Sequence, residues 1–263
     1  MARLHHILLG TQPDIFLCHG ILGSGQNWRS FARLLRQKYP KLGIALMDLR
    51  NHGKSEKGQS PHSIQSCAQD LINLAQEIGT PKIIIGHSFG GKVVLEYARR
   101  EKPLQAWILD SPPGTLAEKP ADKSEVLHVI EALEKVPLPL EKRKDLVDFL
   151  MMQGCSRAVA QWMTTNLRHS DEGYAFRFSL PIIRELIFDY FRYDGWPILE
   201  AGQQDIHIVR AQNSDRWSPI AISRLANLRS ECVHILPRAA HWVHVDNPQG
   251  LCTLLMRYFP TFS

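Results

Sequence analysis

The sequence has no run of 18 consecutive apolar residues and no long block of like-charged residues. The first absence excludes a membrane-spanning helix, which needs about 20 consecutive apolar residues. The second argues against a nucleic-acid-binding arm. The 31 lysines and arginines are spread among 26 acidic residues, which leaves a net charge of only +5. We therefore expect neither a membrane span nor a nucleic-acid partner.

Cysteine pairs and metal-binding motifs are also missing. The five cysteines are scattered, and the sequence contains no Cys-x-x-Cys and no His-Glu-x-x-His. This usage fits reduced thiols better than a disulfide framework. The first residues lack the apolar stretch and cleavage site of a secretion signal. We expect a cytoplasmic protein without a metal or cofactor, and its oligomeric state stays open.

What is present is typical of a globular enzyme of one domain, with or without an insertion. The 263 residues are 44% hydrophobic and 22% charged, which allows a full core. Short apolar runs predict strands at 4–9, 14–18, 43–48, 82–85, 106–109, 205–210 and 232–236. Amphipathic stretches predict helices at 28–39, 64–78, 92–100, 220–228 and 248–259.

Strands and helices that alternate in this way predict an α/β fold, a mostly parallel sheet covered by helices on both faces. Such sheets bind ligands beyond the carboxyl ends of their strands. Four polar residues fall just after predicted strands and should meet at that edge: His19, Asp48, Ser88 and Asp110.

The pattern changes at residues 113–200, where we predict only helices and loops, with helices at 124–135, 141–153, 156–167 and 181–192. Aromatic residues concentrate there. We interpret this segment as a helical cap, or lid, over a core formed by residues 1–112 and 201–263. Most of its aromatics should form the cap's own core. Trp162 and Phe178 are our candidates for lining the substrate pocket.

The chemistry centres on the stretch Gly86-His87-Ser88-Phe89-Gly90-Gly91, which follows a predicted strand and precedes a predicted helix. A Gly-x-Ser-x-Gly at such a corner presents its serine hydroxyl on a sharp turn. The alternative is a tight turn with an idle serine. The strand–helix context favours a nucleophile that attacks a carbonyl carbon.

A serine nucleophile needs a base and an oxyanion hole. His241, on the loop after the last strand, is the candidate base, and His244 is its competitor. The N–H of Phe89 is one oxyanion donor. The second donor should come from the glycine-rich turn after residue 18, with Ile21 as the candidate.

Several of these stretches resemble the α/β-hydrolase superfamily: Phe16-Leu17-Cys18-His19-Gly20, Asp48-Leu49-Arg50-Asn51-His52-Gly53-Lys54-Ser55, the serine motif and Ala240-His241-Trp242-Val243-His244. Asn51-His52-Gly53 and the stretch from Trp162 to Leu167 resemble a branch of small esterases related to α/β-hydrolase-domain protein 11. Ala240 is a mild departure, since many members carry glycine there. The resemblance implies a Ser–His–acid triad and hydrolysis of an ester or acyl-thioester.

The acid has two candidates. Asp215 follows the strand at 205–210, the commonest place for a hydrolase acid, but Ser214 stands at the usual spacing. Asp110 follows the strand at 106–109, and the resemblance favours it because relatives in that branch keep an aspartate there. Two other functions stay open: an acyltransferase or perhydrolase on the same triad, and a receptor-like binder with negligible turnover. Epoxide hydrolases and dehalogenases have a similar fold but use an aspartate nucleophile, so serine at position 88 argues against both activities.

Overall fold

The computed structural model describes residues 1–115 and 125–260, so the first residue of the helix predicted at 124–135 lies outside it. Seven strands form one sheet in the order β1-β3-β2-β4-β5-β8-β9, in which only β1 runs antiparallel to its neighbour. The strands in this part of the chain are β1 (His6–Leu9), β2 (Ile15–Cys18), β3 (Ile44–Met47), β4 (Ile83–His87), β5 (Gln105–Leu109), β6 (Leu167–Ser170), β7 (Gly173–Phe176), β8 (Ile206–Ala211) and β9 (Val233–Leu236).

Helices connect the strands and follow the apolar spacing of the sequence. α2 covers the predicted range 64–78, and its first turn is capped by the Ser63 hydroxyl, which accepts the N–H of Ser66. The helices of the described residues are α1 (Arg29–Lys38), α2 (Ile64–Ile78), α3 (Phe89–Glu101), α4 (Glu125–Glu134), α5 (Arg143–Met152), α6 (Arg157–Met163), α7 (Leu180–Arg192), α8 (Trp196–Glu200), α9 (Pro219–Leu225), α10 (Val243–Asp246) and α11 (Pro248–Tyr258). Within the described ranges, none is long and apolar enough to cross a membrane.

The central strands are buried on both faces, as the continuous apolar runs of a parallel sheet predict. Side chains of α2 and α3 pack on one face, where Leu71 and Val94 belong to the larger hydrophobic cluster. Side chains of α1 and α11 pack on the other, where Phe31 and Leu255 belong to a second cluster. Burial on both faces fixes the strand register and so the positions of the residues at the carboxyl edge.

The segment between β5 and β8 differs from its prediction. It is not only helices and loops, because β6 and β7 form an antiparallel hairpin in which Leu167 pairs with Phe176. The hairpin escaped the sequence pattern because three of the four β6 side chains are exposed, which leaves no apolar run. Leu133, Leu146 and Ile183 from this segment join the same hydrophobic cluster as α2 and α3.

Candidate active site

Ser88 lies between the end of β4 and the start of α3, with φ 54° and ψ −120°. Few residues other than glycine adopt a positive φ, so the packing around Ser88 must hold it there. A Cβ on Gly86 would lie 2.1 Å from the carbonyl oxygen of Gly90, and one on Gly90 would lie 2.5 Å from that of His19. Both positions require glycine because neighbouring backbone fills the space.

The two predicted oxyanion donors lie beside this serine. Phe89 is the first residue of α3, so its N–H is among those that the helix leaves without an internal partner. A Cβ on Gly20 would lie only 3.3 Å from the Ser88 Cβ, which places the turn after β2 against Ser88. Ile21, the next residue of that turn, lines the same cavity as Ser88 and Phe89.

His19 orients the peptide that carries the Ile21 N–H. The carbonyl of Gly20 and the N–H of Ile21 belong to one planar unit, so fixing one fixes the other. His19 Nδ1 donates to the Gly20 oxygen at 2.7 Å, and its Nε2 accepts the Leu49 N–H at 2.9 Å. Burial lowers the pKa of His19, which favours the neutral ring that these two contacts require.

Asp110 and His241 form the hydrogen-bonded pair of the site. Asp110 is buried after β5, and its Oδ2 lies 2.8 Å from Nδ1 of His241. The Ser214 hydroxyl donates to the same oxygen at 2.6 Å. The N–H of Ala211 and the indole N–H of Trp217 donate to Oδ1 at 3.0 and 2.8 Å. Since the carboxylate accepts, Nδ1 of His241 carries the proton and Nε2 can accept one.

The structure does not bring the alternative acid, Asp215, to His241. Its carboxylate lies 3.3 Å from Nε of Arg216, and its side chain is 81% exposed. Ser214, one residue earlier, occupies the position in the turn that faces Asp110. Asp215 is absent from the pair because of its spacing along the chain: it comes one residue after the position that faces Asp110, and its side chain is exposed.

Sequence reasoning missed His87, the residue just before Ser88. His87 Nε2 lies 2.7 Å from the backbone oxygen of His241, and because a carbonyl only accepts, Nε2 is the donor. Burial, and then the neighbouring His241 and His244, hold the pKa of His87 well below its ordinary value. This bond ties the loop that carries His241 to the last residue of β4, next to Ser88. The two bonded residues are 154 positions apart, so no local sequence pattern predicts this hydrogen bond.

His244, the competitor base, is buried beside His87, with ring centroids 5.2 Å apart. Its ring packs 4.2 Å from the ring of Trp28. Burial lowers its pKa to about 4, and the nearby His241 adds to the effect. Among the described residues that line the cavity, His241 is present and His244 is not. The structure thus favours His241 as the base.

A cavity of about 160 Å³ opens over these groups, and both Ser88 and His241 line it. Part of its wall comes from the segment between β5 and β8, which contributes three aromatics: Trp162, Tyr190 and Phe191. Phe178, also predicted to line the pocket, is outside the lining among the described residues. It stacks instead on Phe176, with ring centroids 5.1 Å apart, because it follows the β6–β7 hairpin into that segment's own core.

One three-residue group in the described part of the chain could hold a metal ion, formed by Asp205, His207 and Cys232. Their ligand atoms lie within 4.8 Å of one another. The group lies towards the amino ends of the strands, away from Ser88. Arg229 donates to the Cys232 sulfur at 3.1 Å and lies 3.8 Å from Asp205, so a cation already occupies this neighbourhood.

A serine at a strand–helix corner, an aspartate–histidine pair and a mostly parallel sheet together define the class of an α/β hydrolase. A family model described as "Alpha/beta hydrolase family" matches residues 15–254. The chain belongs to this family.

The chain also resembles individual proteins, at low sequence identity. The chain is 28% identical to an sn-1-specific diacylglycerol lipase ABHD11 of Danio rerio, over 94% of this chain and 78% of that protein. It is 31% identical to a probable alcohol acetyltransferase of Saccharomyces cerevisiae, over 92% of this chain and 75% of that protein. Among solved structures, a marine microorganism esterase superposes with a TM-score of 0.83 at 21% identity, covering 98% of this chain and 100% of that one.

Proposed function

We propose that the protein cleaves a carboxylic ester or an acyl-thioester through an acyl-enzyme on Ser88. The observation that carries the proposal is the 2.8 Å contact between Asp110 and His241, at a cavity that both His241 and Ser88 line. The lipase and esterase names among the relatives support carboxylic ester hydrolysis as the reaction.

In this mechanism Nε2 of His241 takes the proton of Ser88 as the hydroxyl oxygen attacks the carbonyl carbon. Asp110 holds the ring in the required tautomer and stabilises the imidazolium that forms. The N–H groups of Ile21 and Phe89 bind the developing oxyanion. His241 then gives the proton to the leaving alcohol or thiol. Water, activated by the same histidine, releases the acid and restores Ser88.

The cavity suggests which part of the substrate it holds. Trp162, Tyr190 and Phe191 present apolar surface from the segment between β5 and β8. We infer that this segment, residues 113–200, forms a cap over the core. Apolar walls stabilise an apolar acyl group by removing it from water. We therefore propose an ester or thioester with an apolar acyl chain, while Ser88 and His241 face the bond that is cleaved.

The test combines hydrolysis with covalent labelling. We expect the wild type to hydrolyse p-nitrophenyl esters and acyl-CoAs of graded chain length, and a fluorophosphonate to modify Ser88 alone. Ser88→Ala should lose the label and lower kcat by on the order of 10⁴-fold or more. Undiminished labelling in Ser88→Ala would contradict the assignment. A labelled protein without turnover would indicate a receptor-like binder.

A second candidate function is acyl transfer to an alcohol, favoured by the likeness to the yeast probable alcohol acetyltransferase. Both reactions share the acyl-enzyme and differ in the group that accepts the acyl chain. Adding ethanol or a longer alcohol to the ester assay distinguishes them. An acyltransferase gives a new ester at the expense of the acid, whereas a hydrolase gives the acid as its main product.

A further inference from the structure

Leu22, next to the candidate oxyanion donor Ile21, has an unusual backbone. Its φ is +61°, in the left-handed region that a branched side chain rarely adopts. Such a conformation persists only where the surroundings fix it. In this turn both polar groups of Leu22 have side-chain partners. The N–H donates to Nε2 of His52 at 3.0 Å, and the carbonyl oxygen accepts from Nδ2 of Asn166 at 2.9 Å.

The contacts of His52 define its tautomer. Nδ1 lies 2.8 Å from the carbonyl oxygen of Arg50, which can only accept, so Nδ1 carries the hydrogen and Nε2 has a lone pair for Leu22. Burial, followed by the nearby His19, lowers the pKa of His52 to about 3. His52 therefore stays a neutral acceptor at neutral and mildly acidic pH.

Asn166 reaches the same residue from a different part of the chain. It ends the helical turn after α6, four residues beyond Trp162, and it is buried against the core. Its bond to Leu22 spans 144 residues of sequence. A carbonyl buried there without a donor would be destabilising, so this contact helps to hold the turn in its strained shape. The segment that forms part of the cavity wall thus also holds the turn beside Ser88.

We propose that His52 and Asn166 are positioning residues for the oxyanion hole: by holding both polar groups of Leu22, they fix the peptides on either side of it and, together with the His19 contact to Gly20, keep the Ile21 N–H in place for the transition state. The inference rests on the proposed function at Ser88. Neither residue is among the cavity-lining residues of the described chain, so they act through the turn and not by contact with substrate. Ground-state binding of the acyl group should therefore depend little on them, whereas binding of the oxyanion should depend on them strongly.

The chain offers a matched control. Asn51 also ties the inserted segment to the core, because its side chain donates to the Ser179 oxygen and accepts the Ser179 N–H, both at 2.9 Å. Asn166→Asp and Asn51→Asp each replace one amide donor with an acceptor of the same shape. Only the first leaves the Leu22 carbonyl without its donor. His52→Phe removes the acceptor for the Leu22 N–H, and His52→Gln returns an acceptor oxygen near Nε2.

The experiment measures kcat, KM and the affinity of a trifluoromethyl ketone, whose adduct with Ser88 places an oxyanion in the hole. We expect Asn166→Asp and His52→Phe to lower kcat and ketone affinity together, by about 10-fold to 100-fold. KM should stay within about threefold. His52→Gln should recover most of the loss, and Asn51→Asp should stay near wild type. Asn166→Ala replaces Asn166→Asp if the latter does not fold.

Unchanged ketone affinity in folded Asn166 and His52 variants would overturn the inference, as would an equal loss in Asn51→Asp. A change confined to KM would also overturn it. Fluorophosphonate labelling of the wild type distinguishes failure of this positioning role from failure of the proposed function. If Ser88 is labelled and active while the variants match the wild type, only the positioning role is wrong.

Discussion

Two histidine–carboxylate pairs of the described residues lie at opposite ends of strands β5 and β8. At the carboxyl end, Asp110 Oδ2 lies 2.8 Å from Nδ1 of His241. At the amino end, Asp205 Oδ1 lies 3.1 Å from Nε2 of His207. The ends are separated by roughly 16 Å, the length of β5 at about 3.3 Å per residue. The side-chain chemistry is similar, but the neighbours are not.

Around the first pair are a strained serine, two backbone donors and a cavity. Around the second, the ring of His207 stacks on Trp107 with centroids 4.2 Å apart and contacts His234 through Nδ1 at 2.9 Å. The His207 ring thus packs among other rings of the structure, whereas the His241 ring lines a cavity. An aspartate–histidine contact is therefore a candidate for catalysis only where a potential nucleophile and space for a substrate adjoin it.

The largest expected effect is a difference in activity between variants of His241 and His207. His241→Gln should lower kcat/KM for an ester by on the order of 10⁴-fold or more, because it removes the base from Ser88. His207→Gln should stay within about threefold, because its ring packs far from the cavity. Steady-state kinetics with circular dichroism of both variants checks this. Equal losses in two folded variants would contradict the assignment of His241, and not His207, as the base.

A smaller effect concerns the wall of the cavity. Trp162→Ala should shift the preference towards longer acyl chains, changing the octanoyl-to-acetyl ratio of kcat/KM by about tenfold, because it enlarges the apolar cavity. Phe178→Ala is the matched control, since this aromatic of the same segment packs on Phe176 instead. It should destabilise the fold but leave the ratio unchanged. A p-nitrophenyl ester series measures both, and an unchanged profile in Trp162→Ala would remove that residue from the acyl pocket.

The smallest effect is on stability in acid. Burial, and then His207, lower the pKa of His234 from 6.5 to about 4. Between these values the unfolded chain binds a proton that the folded chain does not, so the free energy of unfolding falls as the pH falls, by up to about 1.4 kcal/mol per pH unit. His234→Gln should make this loss shallower in urea titrations at pH 7 and pH 4.5. The exposed His169→Gln is the control, and an identical loss in His234→Gln and wild type would contradict the prediction.

Much of the fold could be predicted because its signals are local. Apolar runs marked the strands, apolar spacing marked α2, and two glycines around Ser88 marked the strand–helix corner. The β6–β7 hairpin gave no such signal, since its strands are four residues long and β6 is mostly exposed. The family assignment from the quoted motifs is confirmed by the family model.

The site was predicted less completely because its contacts are long-range. The sequence placed Ser88, Asp110 and His241 at one edge, but the choice between Asp110 and Asp215 depended on which side chain a turn directs inward. The bonds from His87 to His241 and from Asn166 to Leu22 join residues 154 and 144 positions apart. Spacing within one motif carries no information about such partners.

Asp110, at the carboxyl edge, is the acid that we propose to complete the catalytic group with Ser88 and His241. The most direct test is kcat/KM for one good ester in Asp110→Asn and Asp215→Asn, with folding verified for each. We expect a loss of about 10⁴-fold in Asp110→Asn, because His241 loses its orienting carboxylate, and a change within about threefold in Asp215→Asn. The reverse ranking in two folded variants would contradict this proposal and assign the acid to Asp215.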